Sequence, residues 1–338
     1  MRSCVRARWF VGVALAAALG SCSPRTVDGE AAPIRLRLIR TLGEPGRAPG
    51  QFVAPRVLDD DGEALWVIDK LGRVQRLDPE TGDPLFLFTM PEVRLGKPVG
   101  MTVVRYSGGE IEAWVADTHY HRVMVYRIPR AGAEPELVRS FGTLGKGPGE
   151  FIYPTDLAVV LSPDRTKVER VYVAEYGGND RIQAFDPDGN VLFAFGELGE
   201  SSSPDAIEFN RPQCLALDEA RGELLVVDAC NHRIGRFTLD GNLIDWIGDA
   251  HRPGRGACEF RYPYSIWPAG DGTWWVCEHG NNRVQRVDLA ARVSFGAFGV
   301  PGRGPGEFDA PWGVVSRGDR VWVLDTGNAR IQVFGGRR

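Results

Sequence analysis

Residues 321–334 read VWVLDTGNARIQVF, and five similar stretches precede them in the chain. In each stretch an apolar run ends in an acidic residue, a short polar loop follows, and an arginine opens a second apolar run. These arginines lie 47 to 59 residues apart, at Arg73, Arg122, Arg181, Arg233, Arg283 and Arg330. Short alternating strands that recur at a period near fifty residues are typical of β-propeller blades.

Each repeat has room for four strands, which we call strands a to d. Strand a follows a proline, strand b ends at the acidic residue, strand c begins at the arginine, and strand d ends in an apolar residue and a glycine. The prolines before strand a are Pro55, Pro98, Pro154, Pro212, Pro263 and Pro311. We therefore predict an all-β fold, in which residues 34–338 form a six-bladed β-propeller of four-stranded blades.

The two ends of the repeat array complement each other. The sixth repeat stops after strand c, at Phe334, whereas the segment from Ile34 to Gly43 precedes the first repeat and has the pattern of a strand. We predict that this N-terminal segment supplies strand d of the last blade. Such closure is favourable because it removes an open sheet edge.

The pattern Asp-x-x-Asn-x-Arg-Ile-Gln-x-Phe, which residues 325–334 contain, resembles the NHL repeat. The resemblance extends over almost the whole chain after residue 33 and implies NHL-type blades. Glu175 and Glu278 depart from the pattern by replacing the aspartate, and the first repeat lacks the asparagine. Because the acid and the arginine recur in every repeat, we expect them to pair and to hold the b–c loop rather than to form an active site.

Residues 1–21 combine a basic start with an apolar core, residues 9–19, that is too short to span a bilayer. They lead into the sequence LGSC, which resembles a bacterial lipobox and ends at Cys22. We predict a lipoprotein signal peptide over residues 1–21, a lipid anchor on Cys22 and a tether over residues 22–33. Ser23 resembles an outer-membrane sorting signal, so we expect the protein in the cell envelope, facing the periplasm in a Gram-negative host.

The net charge of the exported chain indicates which classes of partner it can bind. Removing residues 1–21 removes three arginines and no acidic residue, which takes the formal net charge from −4 to −7. Affinity for nucleic acid depends on the neutralisation of phosphates, so we expect no nucleic-acid partner. We expect a monomer whose partners are the membrane, through the lipid, and a protein or small-molecule ligand.

Four cysteines follow Cys22, at Cys214, Cys230, Cys258 and Cys277. An even number of cysteines in an exported chain favours disulfides. We predict at least one bridge, and Cys214–Cys230 is the first choice because both residues lie near the same end of one blade. Cys230–Cys258, across the fourth and fifth blades, is the alternative.

The start of strand a is the predicted ligand site. In a propeller the d–a and b–c loops share one face, around the mouth of the central channel, and strand a begins at that mouth. The core-facing position of strand a is apolar in every repeat, whereas the flanking positions vary in charge and size. We predict that an arginine there binds a carboxylate or phosphate and that aromatic rings contact a sugar or peptide face. The predicted site comprises Arg56, Asp156, Gln213, Tyr264 and Trp312.

The repeats also resemble the peptidyl-hydroxyglycine lyase of peptide amidation, an NHL-like propeller that holds zinc through histidines just after the strand-a proline. None of the six corresponding positions here is histidine, and the expected tyrosine does not precede Cys230. We therefore expect no cofactor. If zinc, copper or calcium binds, the candidate ligands are Asp117, His119 and His121, which lie close together in one b–c loop.

Taken together, these features favour a non-catalytic protein of the cell envelope. We expect a binding or scaffold propeller that presents its mouth to a small polar ligand or a protein partner. The alternative is an exported lyase or hydrolase, with or without a metal, whose active site is the same mouth.

Overall fold

The computed structural model of the protein describes residues 26–27, 30–31, 34–129, 133–201 and 203–336. The predicted signal peptide and the predicted lipid site at Cys22 lie outside these residues. Strands form nearly all of the regular structure, with short 3-10 helices at Thr118–Tyr120 and Thr326–Asn328. Within the described ranges, no helix has both the length and the apolar character needed to cross a membrane.

The strands follow one another at intervals set by the repeat. As far as the third blade they are β1 (Thr26–Val27), β2 (Glu30–Ala31), β3 (Arg37–Leu42), β4 (Val57–Asp60), β5 (Leu65–Ile68), β6 (Arg73–Leu77), β7 (Pro84–Thr89), β8 (Gly100–Arg105), β9 (Ile111–Asp117), β10 (Arg122–Ile128), β11 (Glu136–Phe141), β12 (Thr143–Leu144), β13 (Glu150–Phe151), β14 (Tyr153–Leu161), β15 (Val168–Tyr176), β16 (Arg181–Phe185) and β17 (Val191–Phe195). The remaining strands are β18 (Glu197–Leu198), β19 (Glu208–Phe209), β20 (Pro212–Asp218), β21 (Glu223–Asp228), β22 (Arg233–Thr238), β23 (Leu243–Gly248), β24 (Pro263–Pro268), β25 (Trp274–Glu278), β26 (Arg283–Asp288), β27 (Val293–Phe298), β28 (Val300–Pro301), β29 (Glu307–Phe308), β30 (Gly313–Arg317), β31 (Arg320–Asp325) and β32 (Arg330–Gly335).

Six antiparallel, four-stranded sheets form the blades of a propeller. The first five are β4–β7, β8–β11, β14–β17, β20–β23 and β24–β27, and the sixth has the order β30-β31-β32-β3. Three of the d–a loops are braced by two-residue parallel pairs, namely β12 with β13, β18 with β19, and β28 with β29. In the segment predicted as a tether, β1 pairs with β2. The predicted six-bladed, all-β architecture is confirmed.

The ring closes through the N-terminal segment. Strand β3 pairs antiparallel with β32 and places Arg40 opposite Val333. Just before β3, the backbone N–H of Ile34 donates to the carbonyl of Ala297 in the fifth blade (2.8 Å). The prediction that Ile34 to Gly43 completes the sixth blade is therefore confirmed, and it leaves strand c of that blade without an open edge.

The hydrophobic core lies between neighbouring blades. Trp66 of β5 is fully buried and packs in one cluster with Met101 and Ala113 of the second blade. Trp114 of β9 is equally buried and packs with Leu157 of the third blade. Large rings on strand b thus fill the wedge-shaped space between diverging sheets, which is why this position is aromatic in five of the six repeats.

The recurring acid and arginine tie the loops of each blade together. In the fourth blade, Oδ2 of Asp228 accepts hydrogen bonds from Nε of Arg233 (2.9 Å) and from Nδ2 of Asn231 (2.8 Å), while Oδ1 accepts from the backbone of Asn210 (2.7 Å). Arg233 also donates to the carbonyl of Glu208 (2.7 Å) in the preceding d–a loop. The repeat motif is therefore structural, as expected, because its polar atoms are used within the fold.

The disulfide prediction is wrong. None of the residues Cys214, Cys230, Cys258 and Cys277 takes part in a disulfide bond. Cys214 lines the central cavity, whereas Cys230 lies in the b–c loop, and Cys258 is buried between the fourth and fifth blades. Neither Cys214–Cys230 nor Cys230–Cys258 forms, and a bridge requires a short Cα separation as well as facing Cβ atoms, which nearness along a blade does not guarantee.

Candidate functional site at the channel mouth

The central channel contains a cavity of about 250 Å³. Its wall is formed mainly by strand a of all six blades and the residues just before it. All five residues predicted for the ligand site line this one cavity, namely Arg56, Asp156, Gln213, Tyr264 and Trp312. They come together because strand a of each blade lies innermost in the ring, so the first residues of every strand a border the channel.

Two aromatic side chains form one wall of the mouth. Arg56 lies over the ring of Trp312, with its guanidinium carbon 5.1 Å from the ring centroid. Trp312 meets Tyr264 edge to face, with centroids 4.7 Å apart. Behind Tyr264, the imidazole of His279 stacks almost parallel to the phenol ring at 4.3 Å. This packing holds the rings in fixed positions, so they can contact an apolar group of a ligand at little entropic cost.

His279, which the sequence did not single out as functional, packs against the lining rings of Tyr264 and Trp312. Its Nδ1 atom is buried and has no hydrogen-bond partner among the described residues. Burial lowers the pKa of His279, so the ring is neutral at pH 7. The position is the first after the acid of the fifth repeat, and Tyr176 occupies the same position in the third repeat.

A second arginine, Arg211, lies beside the mouth, against the lining residues Gln213 and Tyr264. Its Nε donates to Oε1 of Gln213 (3.0 Å), and its guanidinium lies 5.5 Å from the centroid of Tyr264 and 5.2 Å from that of Tyr176. Gln213, which was predicted as a ligand contact, is 2% exposed. Its side-chain oxygen already accepts the hydrogen bond from Arg211. Sequence reasoning considered only the residues after each strand-a proline, whereas Arg211 directly precedes Pro212.

The two arginines are not neutralised by the fold. Within the described residues, neither Arg56 nor Arg211 forms an ion pair, although most other arginines of the blades do. Burial and the nearby charge of Arg211 lower the pKa of Arg56. Two like charges that are held together and partly removed from water create a site that favours an anion.

Deeper in the cavity the ionisable side chains are acidic rather than basic. Asp156 lies one residue below the mouth, and its Oδ2 accepts from the backbone N–H of Leu215 in the next blade (3.0 Å). Asp59, which the sequence reasoning missed, accepts from the N–H of Val103 in the next blade (2.6 Å). Burial raises the pKa of Asp156 to about 7 and that of Asp59 to about 8. The alternation that placed Asp156 in the channel would also have found Asp59, two residues beyond Val57.

The three side chains predicted as possible metal ligands do not point at a common position. Asp117 pairs with Arg122, His119 Nδ1 accepts from the backbone of Lys97 (3.2 Å), and His121 Nδ1 contacts the carbonyl of Ile152. In the described part of the chain, no group of three or more His, Cys, Asp or Glu side chains is placed to hold a metal ion. The three side chains share a loop in sequence, but their ring and carboxylate atoms are directed at different neighbours.

Comparison with known proteins supports the repeat assignment. The NHL repeat profile matches residues 209–237 and 308–334, which are the fourth and sixth repeats. Peptidyl-glycine alpha-amidating monooxygenase A of Xenopus laevis is 31% identical over 153 residues, and the B form is 32% identical over 145 residues. These matches cover 44% and 41% of this chain, and this chain spans only 15% of the length of either relative.

Solved structures share the architecture at low identity. A streptogramin B lyase aligns with a TM-score of 0.52 at 17% identity, over 86% of this chain and 85% of that chain. Virginiamycin B lyase from Staphylococcus aureus gives 0.54 at 16%, over 88% and 95% of the two chains. A protein of unknown function from Bacteroides thetaiotaomicron gives 0.56 at 15%, over 94% and 72%. At such identities the likeness concerns the fold alone, and this chain is a six-bladed β-propeller that carries NHL repeats.

Proposed function

We propose that the protein is a binding propeller whose channel mouth takes a small anionic ligand with an apolar or aromatic part. The observation that carries the proposal is the pair of arginines, Arg56 and Arg211, that no carboxylate of the described residues neutralises. An uncompensated, partly buried charge costs folding free energy, so it is more readily explained by a ligand than by the fold. The rings of Tyr264 and Trp312 supply the apolar contact next to it.

The experiment is a ligand screen on the purified protein. Carboxylates and phosphates that carry aromatic or aliphatic groups are ranked by the thermal shift they produce, and hits are titrated by calorimetry. Arg56→Gln should weaken the best hit about tenfold or more, since a hydrogen bond to a charged group contributes roughly 1.5–3 kcal/mol. Arg303→Gln, at an exposed position in a d–a loop, is the matched control and should leave the affinity unchanged. Equal losses in both variants, or none in either, would place the site elsewhere.

A second candidate function is lyase chemistry at the same mouth. The sequence similarity to the amidating monooxygenases is the observation that favours it. The test is to incubate the protein, with and without added zinc or calcium, with a peptide that ends in α-hydroxyglycine, and to look for the peptide amide by mass spectrometry. Amide that forms with the wild type and not with Tyr264→Phe would support the lyase; no amide under any of these conditions would exclude it for this substrate class.

The place of this binding protein is proposed to be the cell envelope. A lipid on Cys22 would hold the propeller at the membrane, and the acidic mature chain would remain in the aqueous phase. The proposal rests on the LGSC sequence and on the short apolar segment that precedes it.

A further inference from the structure

The cavity carries opposite charges at different depths. Arg56 is at its mouth, while Asp156 and Asp59 lie below it on the same lining. Asp59 is three residues beyond Arg56 in the chain, and a strand rises about 3.3 Å per residue, so their Cα atoms are about 10 Å apart along the channel wall. The cavity therefore has an unpaired cationic group at its mouth and unpaired carboxyl groups inside it.

The two carboxyl groups retain capacity for a cation. Asp59 accepts hydrogen bonds from the backbone N–H groups of Val103 and Asp60. Asp156 accepts one from Leu215 and also interacts with the N–H of Leu157 and the thiol of Cys214. A carboxylate can accept about four hydrogen bonds, so each group has acceptor positions left over. Neither forms an ion pair within the described residues, in contrast to Asp60, which pairs with Arg317 at the opposite end of the channel.

Besides Arg56 at the mouth, the one cationic side chain among the described residues that line the cavity is Arg165, which is paired with Glu219 (3.2 Å). The titratable groups that face them are Asp60 on β4 and the thiol of Cys214 on β20, and Asp59 and Asp156 also act on each other. All of these groups are acidic or neutral. Buried carboxyl groups that the fold leaves without a counter-charge are suited to a cationic group brought in by a ligand.

We propose that the cavity binds a zwitterionic ligand, whose carboxylate contacts Arg56 at the mouth and whose ammonium group lies between Asp156 and Asp59 in the channel. An apolar or aromatic spacer would connect the two charges and pack against Trp312 and Tyr264. The anionic end of this assignment rests on the proposed function, whereas the cationic end rests on the carboxyl groups alone.

The test compares two probes that differ only in the ammonium group. They are 4-(aminomethyl)benzoate, which carries both charges across a rigid ring, and 4-methylbenzoate, which carries only the carboxylate. Calorimetry with the wild type should show about tenfold tighter binding of the aminomethyl probe, the gain expected for a charge-assisted hydrogen bond in a buried site. Equal or tighter binding of 4-methylbenzoate would overturn the zwitterion proposal and leave the anionic mouth standing.

Two variants test the contacts to the ammonium and to the carboxylate of the ligand separately. Asp156→Asn keeps an oxygen for the N–H of Leu215 and should abolish the advantage of the aminomethyl probe while leaving 4-methylbenzoate within about twofold. Arg56→Gln should weaken both probes. If neither probe binds the wild type, the zwitterion proposal falls, and the carboxylate and phosphate screen still decides the function of the mouth.

The number of protons released on binding is an independent test of the proposed ammonium site. An ammonium group between Asp156 and Asp59 favours their charged forms, so binding near pH 7 should release protons. Titration of the aminomethyl probe in two buffers of different ionisation enthalpy measures this release, and 4-methylbenzoate should show none. Binding of the aminomethyl probe without proton release, at a pH where the carboxyl groups are protonated in the free protein, would contradict the assignment.

Discussion

Arg56 and Arg233 show how the same residue type serves opposite purposes in one blade architecture. Arg233 is almost fully buried and is bonded to Asp228, whereas Arg56 lies at the mouth without a carboxylate. Removing one partner of a buried pair leaves the other charge uncompensated. Removing an arginine that has no counter-charge relieves repulsion from Arg211 instead.

Substitutions of the two arginines should therefore differ in their effect on stability. We expect Arg233→Gln to lower the free energy of unfolding by about 3–5 kcal/mol, the range for a broken buried pair. Arg56→Gln should change it by no more than about 0.5 kcal/mol, since no hydrogen bond or ion pair of the fold is lost. Urea unfolding of both variants measures the difference, and a loss in Arg56→Gln as large as that in Arg233→Gln would show that Arg56 is part of the scaffold.

The channel carboxyl groups predict a pH dependence of stability. In the unfolded chain an aspartate titrates near 3.9, whereas burial raises the pKa of Asp156 to about 7 and that of Asp59 to about 8 in the fold. Between pH 4 and 8 the folded protein thus binds more protons than the unfolded chain, so these groups make stability fall as pH rises. Melting temperatures from pH 5 to 8 should decline more steeply for the wild type than for Asp59→Asn/Asp156→Asn. Parallel curves would contradict the assignment.

At the scale of single strands, the outer strand of every blade is irregular. In all six blades the pairing of strand c with strand d shifts register by one residue, for example between Arg76 and Leu77 and between Arg236 and Phe237. Bulges twist an edge and interrupt its ladder of free backbone groups. The exposed edges of the blades are thereby made poor templates for pairing with another chain.

Two residues of strand β3 test whether this strand stabilises the closed ring. Leu42 is 3% exposed and packs between the first and sixth blades, whereas Ile39 of the same strand is 36% exposed. We expect Leu42→Ala to cost about 2–5 kcal/mol, as for other buried leucines, and Ile39→Ala to cost little. Chemical denaturation of the two variants checks this. If both substitutions were equally mild, β3 would not contribute to the stability of the ring.

At the scale of the whole molecule, the lipid anchor predicts where the protein is found. Cys22→Ser should lose incorporation of a labelled fatty acid and should move from the membrane fraction to the soluble fraction. Several acyl chains give stable anchoring where a single chain does not. Cys230→Ser, within the propeller, is the matched control and should remain labelled. Equal labelling of wild type and Cys22→Ser would overturn the lipoprotein proposal.

Much of the fold followed from the sequence because its signals are local. The period of the repeats, the proline before each strand a, and the acid and arginine around each b–c loop are all visible within about fifty residues. The recurring position of strand a likewise placed Arg56, Asp156 and Trp312 in one cavity, since the first residues of every strand a border the channel. Closure by the N-terminal strand followed from counting strands, because a ring with one strand missing requires it.

The electrostatics of the mouth were decided only by the tertiary structure. Arg211 and Arg56 belong to different blades, and only closing the ring brings their charges together. Asp59 and Asp156 are nearly a hundred residues apart in the chain, yet they act on each other across the channel. The predicted disulfides do not form, because a bridge requires a short Cα separation and facing Cβ atoms, which two positions near one end of a blade do not guarantee. The sequence by itself determined which residues each blade presents; the arrangement of the blades determined which of those residues meet, because coupling between charges depends on distance in space and not along the chain.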